Sequence, residues 1–304
     1  MAKKPSSHRS PRTPDSTLAC ATVVLSGATE LALTLPDVRA IDTRNGDRPV
    51  CESVVLKINY YVINLDRSPE RLAAISADAA AIGIDLIRVQ AVDGKTVPPQ
   101  ARDILDESGF RRLHGKIPMD GEYGCYQSHI DVFDAFLASD ADIAVIFEDD
   151  VRLTPALLPV LDRIVAVDDW DVVKLMHHRL PAFRAHRSIG GGHRLGTSLF
   201  GPTGSSAAYL VNRQGAKTLR QRLVPMQLPY DVALERGWAL GVRVRHVEPD
   251  LVSGNPLTQQ SLIGGRKKYA AMRLAPWRRL TTLLFRTAEV VRRARFGLSA
   301  RTER

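Results

Sequence analysis

The sharpest chemical feature of the sequence is VIFEDDV, in which Glu148, Asp149 and Asp150 follow the wholly apolar run IAVIF (143–147). Such a run suits a strand at the centre of a sheet. In open α/β sheets ligands bind off the carboxyl ends of the strands. Three adjacent carboxylates repel one another unless a cation or a basic group neutralises them. A hard divalent metal with oxygen ligands is one answer, and such a metal commonly recruits substrate phosphates. An acidic turn that caps the next helix is the other, and both stay open at this point.

Two further segments carry reactive residue types. VINLDRSPER places Asn64, Asp66, Arg67 and Arg71 where a strand runs into a helix. Helix N-termini and arginines both favour phosphate, although a capped helix with surface arginines has the same sequence. GEYGCYQSHIDVF puts Glu122, Cys125, Ser128 and His129 on the first turns of another helix. Cys125 and His129 at i, i+4 have the spacing for metal or nucleophile chemistry. The plainer expectation, preferred for Cys125, is a small buried thiol, with His129 in reach of a substrate. The histidines at 177, 178, 186 and 193 lie in a Gly-rich stretch without a ligand spacing and are expected to be solvated. His246 ends a late strand and precedes Glu248 and Asp250, which makes it a candidate extra metal ligand.

The elements that must position these groups follow from periodicity. YYVINL (60–65) reads as a strand. Ser68 and Pro69 open a helix with Leu72, Ile75, Ala79 and Ile82 on one face, and Gly83 ends it. LIRVQAV (86–92) is the next strand. This β-α-β unit predicts a parallel sheet. A helix over 122–138 has Tyr126, Ile130, Phe133 and Leu137 on one face. Strands follow at 143–147, 172–176, 207–211 and 242–247, with a helix from Asn212 to Leu223 and a long loop over 177–204. No internal repeat is present.

The chain has 304 residues, 44% hydrophobic and 25% charged, ordinary for a globular protein with a real core. Fibrous and wholly disordered classes are excluded. The net charge of +9 invites a nucleic-acid reading, but its location argues against one. Residues 266–304 alone carry 12 Lys/Arg against 2 Asp/Glu, so 1–265 is close to neutral. A nucleic-acid-binding domain needs a basic face on its folded body. The 3 cysteines, Cys20, Cys51 and Cys125, are odd in number and widely spaced, which disfavours a disulfide framework and points to a reducing, cytoplasmic setting. No apolar run reaches the ~20 residues of a membrane span.

Three regions result. Residues 1–52 are an N-terminal extension with a Pro/Ser/basic, partly disordered start, and VVLSGATELALTL holds one or two strands. Residues 53–265 are the body. Residues 266–304 are a basic amphipathic tail, with Pro276 opening a helix in which Trp277, Leu280, Leu284, Ala288 and Val291 share one face while Arg279, Arg286 and Arg293 recur on another. Such a helix either lies on an anionic membrane surface or packs on the domain and shows its arginines to water. The first predicts a peripheral protein on the cytoplasmic face of the inner membrane.

Taken in order, VINLDRSPER, AVDG (91–94), GEYGCYQSH, VIFEDDV, GSSAAYLVNRQGAKTL (204–219), LPYD (228–231) and VEPDLV (247–252) resemble glycosyltransferase family 25, the lipooligosaccharide- and lipopolysaccharide-type galactosyltransferases. The resemblance covers about 54–263. It implies an α/β fold of the GT-A type, a Rossmann-like mixed sheet flanked by helices. It also implies a UDP-sugar donor (UDP-galactose or UDP-glucose), Mn²⁺ or Mg²⁺, and inverting transfer to a saccharide or glycolipid acceptor in surface-glycan biosynthesis.

On this resemblance Glu148, Asp149 and Asp150 form the acidic motif. Asp150 and Glu148, with His246, are the metal candidates. Asn64, Asp66, Arg67, Arg71, Glu148 and Asp149 would hold the nucleotide sugar, and Ser128 and His129 the acceptor. An inverting transfer needs a base for the acceptor hydroxyl. Asp231, after Pro229 in LPYD, is the first candidate and Glu122 the second, although an N-cap role would equally explain Asp231. Two other classes compete. A phosphoacceptor receiver domain also has an acidic pair after an apolar strand. It needs a further Asp at a later strand end, where VVKLM leads into Met176 and His177. A non-catalytic, membrane-associated scaffold or nucleotide-sugar-binding protein would rest on the tail.

Overall fold

The computed structural model describes residues 23–26, 30–33, 54–255 and 266–300, with side chains described for 56–255 and 269–300. Cys20, Cys51 and the Pro/Ser-rich start of the expected N-terminal extension lie outside the described residues. Two strands of that extension, β1 (Val23–Ser26) and β2 (Glu30–Leu33), pair antiparallel with each other.

β3 (Val54–Asn64) pairs with β2 through its first half and, in parallel, with β4 (Leu86–Gln90) through its second. α1 (Pro69–Ala81) connects β3 to β4, as the β-α-β pattern predicts. Then come α2 (Glu107–His114), α3 (Asp120–Ala138), β5 (Ile143–Glu148), β6 (Val151–Arg152), α4 (Leu157–Val165) and β7 (Val172–Lys174). The remainder is β8 (Phe183–Ser188), β9 (Arg194–Ser198), β10 (Ala208–Asn212), α5 (Arg213–Arg222), α6 (Tyr230–Leu234), α7 (Gly237–Leu240), β11 (Val244–Glu248), β12 (Ser253–Gly254), α8 (Arg266–Ala271) and α9 (Leu280–Ser299).

The main sheet runs β1-β2-β3-β5-β10-β7-β11-β9-β8, with β4 beside β3. β3 is parallel to β5 and β7 to β11, while β10 is antiparallel to both its neighbours. The sheet is therefore mixed, as the family resemblance implies, rather than wholly parallel. Strand alternation sorts side chains to two faces. Tyr60, Val62, Val145 and Phe147 face α1 and α4, where Ile75, Leu157, Leu161 and Ile164 are buried. Tyr61, Ile63, Ala144 and Ile146 face α3 and α5 with Tyr126, Ile130, Phe133 and Leu219.

The expected loop over 177–204 instead contains the β8–β9 hairpin, which caps one edge of the sheet. Its strands read FRAHRS and RLGTS, with too few apolar positions for alternation to show, and β8 forms the sheet's outer edge. The histidines there are correspondingly less solvated than their sequence context suggests. His177 and His186 are buried.

The tail is not detached. Thr281 and Thr282 donate to the Arg112 carbonyl, and Arg236 pairs with Glu289. The Phe296 ring meets Trp238 edge-on at 5.9 Å. The strongest tie is buried: Glu235 accepts from Thr203 and pairs with Arg293 at 2.9 Å, with Lys174 Nζ 4.0 Å away. These two cations hold the Glu235 carboxyl below its ordinary range despite burial, which alone would raise it. Removing one partner of a buried charge group strands the others in low dielectric. Glu235→Ala is therefore expected to destabilise the chain by about 3–5 kcal/mol in urea melts. A loss within about 0.5 kcal/mol, the range of an indifferent surface change, would show that the cluster does not hold the tail.

Candidate functional site

The site forms because β3 and β5 end side by side, with Ile63 opposite Glu148 in the parallel register. One position further on, Asp149 accepts from Asn64 Nδ2 at 2.7 Å and from Arg71 Nη1 at 3.1 Å. Asn64 also donates to the Ser68 carbonyl just before α1. Asp149 is thus a structural clamp between strand end and helix start. Alternation sends Glu148 to the opposite face, where it accepts from Ser206 Oγ at 2.6 Å and lies 3.4 Å from His129 Nε2. Burial opposes ionisation of Glu148, but its bonds to His129 and Ser206 hold its carboxyl below the usual value. Asp150 is the opposite case. Burial first, then the charges of Glu148 and Asp149, push it up to about 7, with Arg71 at 4.0 Å in partial compensation.

These acids form one wall of a cavity of about 770 Å³. Arg67, Arg71, Asp93 and Lys95 line the same side, and Glu122, Asp231 and Tyr269 line it elsewhere. Arg67 pairs with Asp93 of the AVDG loop. That loop sits hard against α3. A Cβ on Gly94 would lie 1.8 Å from the Asp120 carbonyl, and one on Gly124 would lie 2.4 Å from the Val92 carbonyl. The glycines of AVDG and GEYG therefore serve backbone contact rather than chemistry.

The floor is aromatic and polar. His129 stacks on Tyr230 with ring centroids 3.9 Å apart, its Nδ1 lies 3.0 Å from the Tyr209 hydroxyl, and Tyr209 and Tyr230 hydroxyls are 2.8 Å apart. Asp231 follows Tyr230 in the first turn of α6. Its Oδ1 accepts from the Val232 N–H at 2.8 Å, and burial raises its carboxyl. Glu122 spends Oε2 on the Met119 N–H, while Oε1 is buried without a hydrogen-bond partner, and burial raises this acid as well.

Not every residue singled out in the sequence joins the cavity. Asp66 turns to Arg88 and Gln90 instead. Ser128 lines the cavity, but its hydroxyl accepts from the Val92 N–H and donates to the Gly124 carbonyl, so it braces the loop rather than facing an acceptor. His129 is fully buried and committed to Tyr209, Tyr230 and Glu148, which makes it a positioning residue. His246 is off the cavity wall. It is buried against His177 at 3.0 Å, which in turn pairs with Asp250, and burial drops it well below its ordinary value. It stands as a neutral core histidine, not a ligand beside Asp150.

The donor set left at the cavity fits a hard divalent ion. Glu148 and Asp150 offer carboxylate oxygens to the cavity, and burial first, then the charges of Glu148 and Asp149, oppose ionisation of Asp150. A second group, Cys125, His129 and Glu148, brings ligand atoms within 4.8 Å of one another. Burial pushes the Cys125 thiol well above its ordinary value, which keeps it protonated, in line with the plain reading of that residue. Ser206, Tyr209, Tyr230 and Tyr269 escaped the sequence reading. Tyr269 stood in the tail assigned outside the body, while the others lay in GSSAAYLV and LPYD without a spacing that marked them.

Glycosyltransferase family 25 (LPS biosynthesis protein) has a sequence model that matches residues 57–234, more than half of the chain. The chain belongs to glycosyltransferase family 25. Among curated relatives, a glycosyltransferase 25 family member from Aedes aegypti is 30% identical over 182 residues, 55% of this chain and 29% of that protein. Procollagen galactosyltransferase 1-A from Xenopus laevis is 27% identical over 185 residues, 56% of this chain and 29% of that one. A protein from Rattus norvegicus named a probable inactive family 25 member 3 is 31% identical over 129 residues, 38% of this chain and 22% of that one. The match thus spans less than a third of these family 25 relatives' length. A crystal structure of the galactosyltransferase LgtC with donor and acceptor sugar analogs aligns over 73% of this chain and 99% of that one, at 12% identity and a TM-score of 0.38, too low to bear on function.

Proposed function

We propose that this family 25 chain is a metal-dependent, inverting hexosyltransferase. It moves galactose or glucose from a UDP-sugar to a saccharide or glycolipid acceptor in lipopolysaccharide or surface-glycan biosynthesis, at the cytoplasmic side of a membrane. The observation that carries the reading is the pairing, in one cavity, of an acid cluster flanked by arginines with a separate half-buried carboxylate, Asp231.

Departure of the nucleoside diphosphate builds negative charge on its phosphates, and Arg67 and Arg71 at the start of α1 are placed to hold them. Glu148 and Asp150 would hold Mn²⁺ or Mg²⁺, whose chemistry when bound is to neutralise diphosphate charge. Asp231 takes the proton of the acceptor hydroxyl. Burial raises its affinity for that proton, as a general base near neutral pH requires. Glu122, which accepts from the Met119 N–H through Oε2, is the second candidate for that role. Tyr209 and His129 fix Tyr230, and with it the first turn that carries Asp231.

The test is a panel of UDP-sugars with Mn²⁺ and a saccharide acceptor, read by UDP release. Release is expected with UDP-galactose or UDP-glucose and is expected to vanish in EDTA. Folded protein that releases no UDP from any donor, yet still binds a UDP-sugar, would overturn catalysis in favour of the non-catalytic binding protein. The inactive naming of a rat relative gives that second reading its footing.

A further inference from the structure

α9 carries an apolar stripe on its outward face in addition to the face it packs on the body. Its inward face is mixed: Phe285 packs against the core and Phe296 meets Trp238, and polar and charged groups lie beside them. Thr282 and Arg293 are buried, and Glu289 is half-buried beneath Arg236 and Trp238. Its outward face carries Leu280 (63% exposed), Leu284 (65%), Val291 (49%) and Leu298 (58%), which recur at helical spacing. Trp277, just before the helix, is 79% exposed, and Leu283 and Val290 widen the stripe. The sequence offered a membrane face or a face packed on the domain. The structure docks Arg293 of the arginine row on Glu235 and leaves the apolar row outside. Exposed apolar residues in one contiguous stripe mark an interaction surface.

We propose that the outward face of α9 is a docking surface for an anionic lipid bilayer, with the helix lying in the interface. Charge on the page selects this occupant. Arg278, Arg286, Arg292 and Arg295 are exposed at the flanks of the stripe, and Glu289 is the one acid between 266 and 300. A basic rim around leucines and a tryptophan is the pattern of helices that bury an apolar face at the headgroup boundary. A second copy of the chain would have to bring two such arginine rims together. Among the described residues no helix is long and apolar enough to cross a membrane, so the helix rests on the surface. Because Arg293–Glu235 and Arg236–Glu289 pin α9 to the body, docking would also fix the orientation of the whole domain on the bilayer. The inference does not depend on the chain being an active transferase.

The test is co-sedimentation of the full chain with vesicles of phosphatidylcholine alone or mixed with phosphatidylglycerol, in low and high salt. The chain is expected to partition onto the anionic vesicles and to leave them as salt rises. A variant with Leu284→Glu and Val291→Glu, both at exposed positions, should melt as wild type yet partition at least about tenfold less, since both apolar anchors are lost. Wild-type protein that stays in the supernatant with anionic vesicles overturns the proposal. So does a folded double variant that still binds them equally. A dimer in sedimentation equilibrium that the same substitutions dissolve assigns the face to a second copy and also overturns it.

Discussion

Asp150→Asn is expected to abolish sugar transfer while the chain melts at or above the wild-type temperature. Asp150 is raised to about 7 by burial and by Glu148 and Asp149, and its contact with Arg71 is long, at 4.0 Å. Neutralising it removes repulsion, so folding has little to lose. If Asp150 and Glu148 hold the divalent ion, the substitution takes away one of two carboxylate ligands. A metal's charge stabilisation of several kcal/mol corresponds to a fall of about 10³ in rate. UDP release with Mn²⁺, together with calorimetric titration of Mn²⁺ in the presence of UDP, reads both sides. A variant that keeps its full rate, or wild-type protein that takes up no cation with UDP bound, ends the metal role.

Asp231→Asn is expected to lower kcat by about 10²–10⁴ and to leave the KM for the UDP-sugar nearly unchanged, because a general base acts on the acceptor proton and not on donor binding. The amide keeps the bond from the Val232 N–H, so the first turn of α6 survives. The pH dependence has a definite sign. Burial raises the Asp231 carboxyl, so it takes up its proton at a higher pH than an exposed aspartate. The wild-type rate should therefore fall on acidification while the pH is still above the ordinary carboxylate range, and the variant should lose that limb. An Asp231→Asn enzyme with wild-type kcat would transfer the role to Glu122 or remove it from both.

The parts of the fold visible in the sequence were those with strong local signals. Pro69 and Gly83 bracket α1, and the apolar run ending at Phe147 is β5, as its composition predicts. Asn212 caps α5 through a bond from the Gly215 N–H. What stayed hidden is set by long-range partners. ESGFRRLH and LLPVLDRIV form α2 and α4, yet neither was assigned. β8 and β9 are too polar to betray an edge hairpin. The acid cluster was legible because three carboxylates share one strand end. Its division of labour was not, because that depends on Asn64, Ser206 and His129, which are 85, 58 and 19 positions away from their partners. His246 looked like a ligand because its neighbours in sequence are acids, whereas its partner in space is His177. The tail's periodicity showed two faces, and the buried Glu235–Arg293 pair decides which one turns inward.

The stack of His129 on Tyr230, tied off by Tyr209, joins three elements that line one cavity. α3 contributes the ring that touches Glu148, β10 the hydroxyl that joins them, and α6 the turn bearing Asp231. The acid cluster and Asp231 thus share one beam, so a displacement of either is felt by the other.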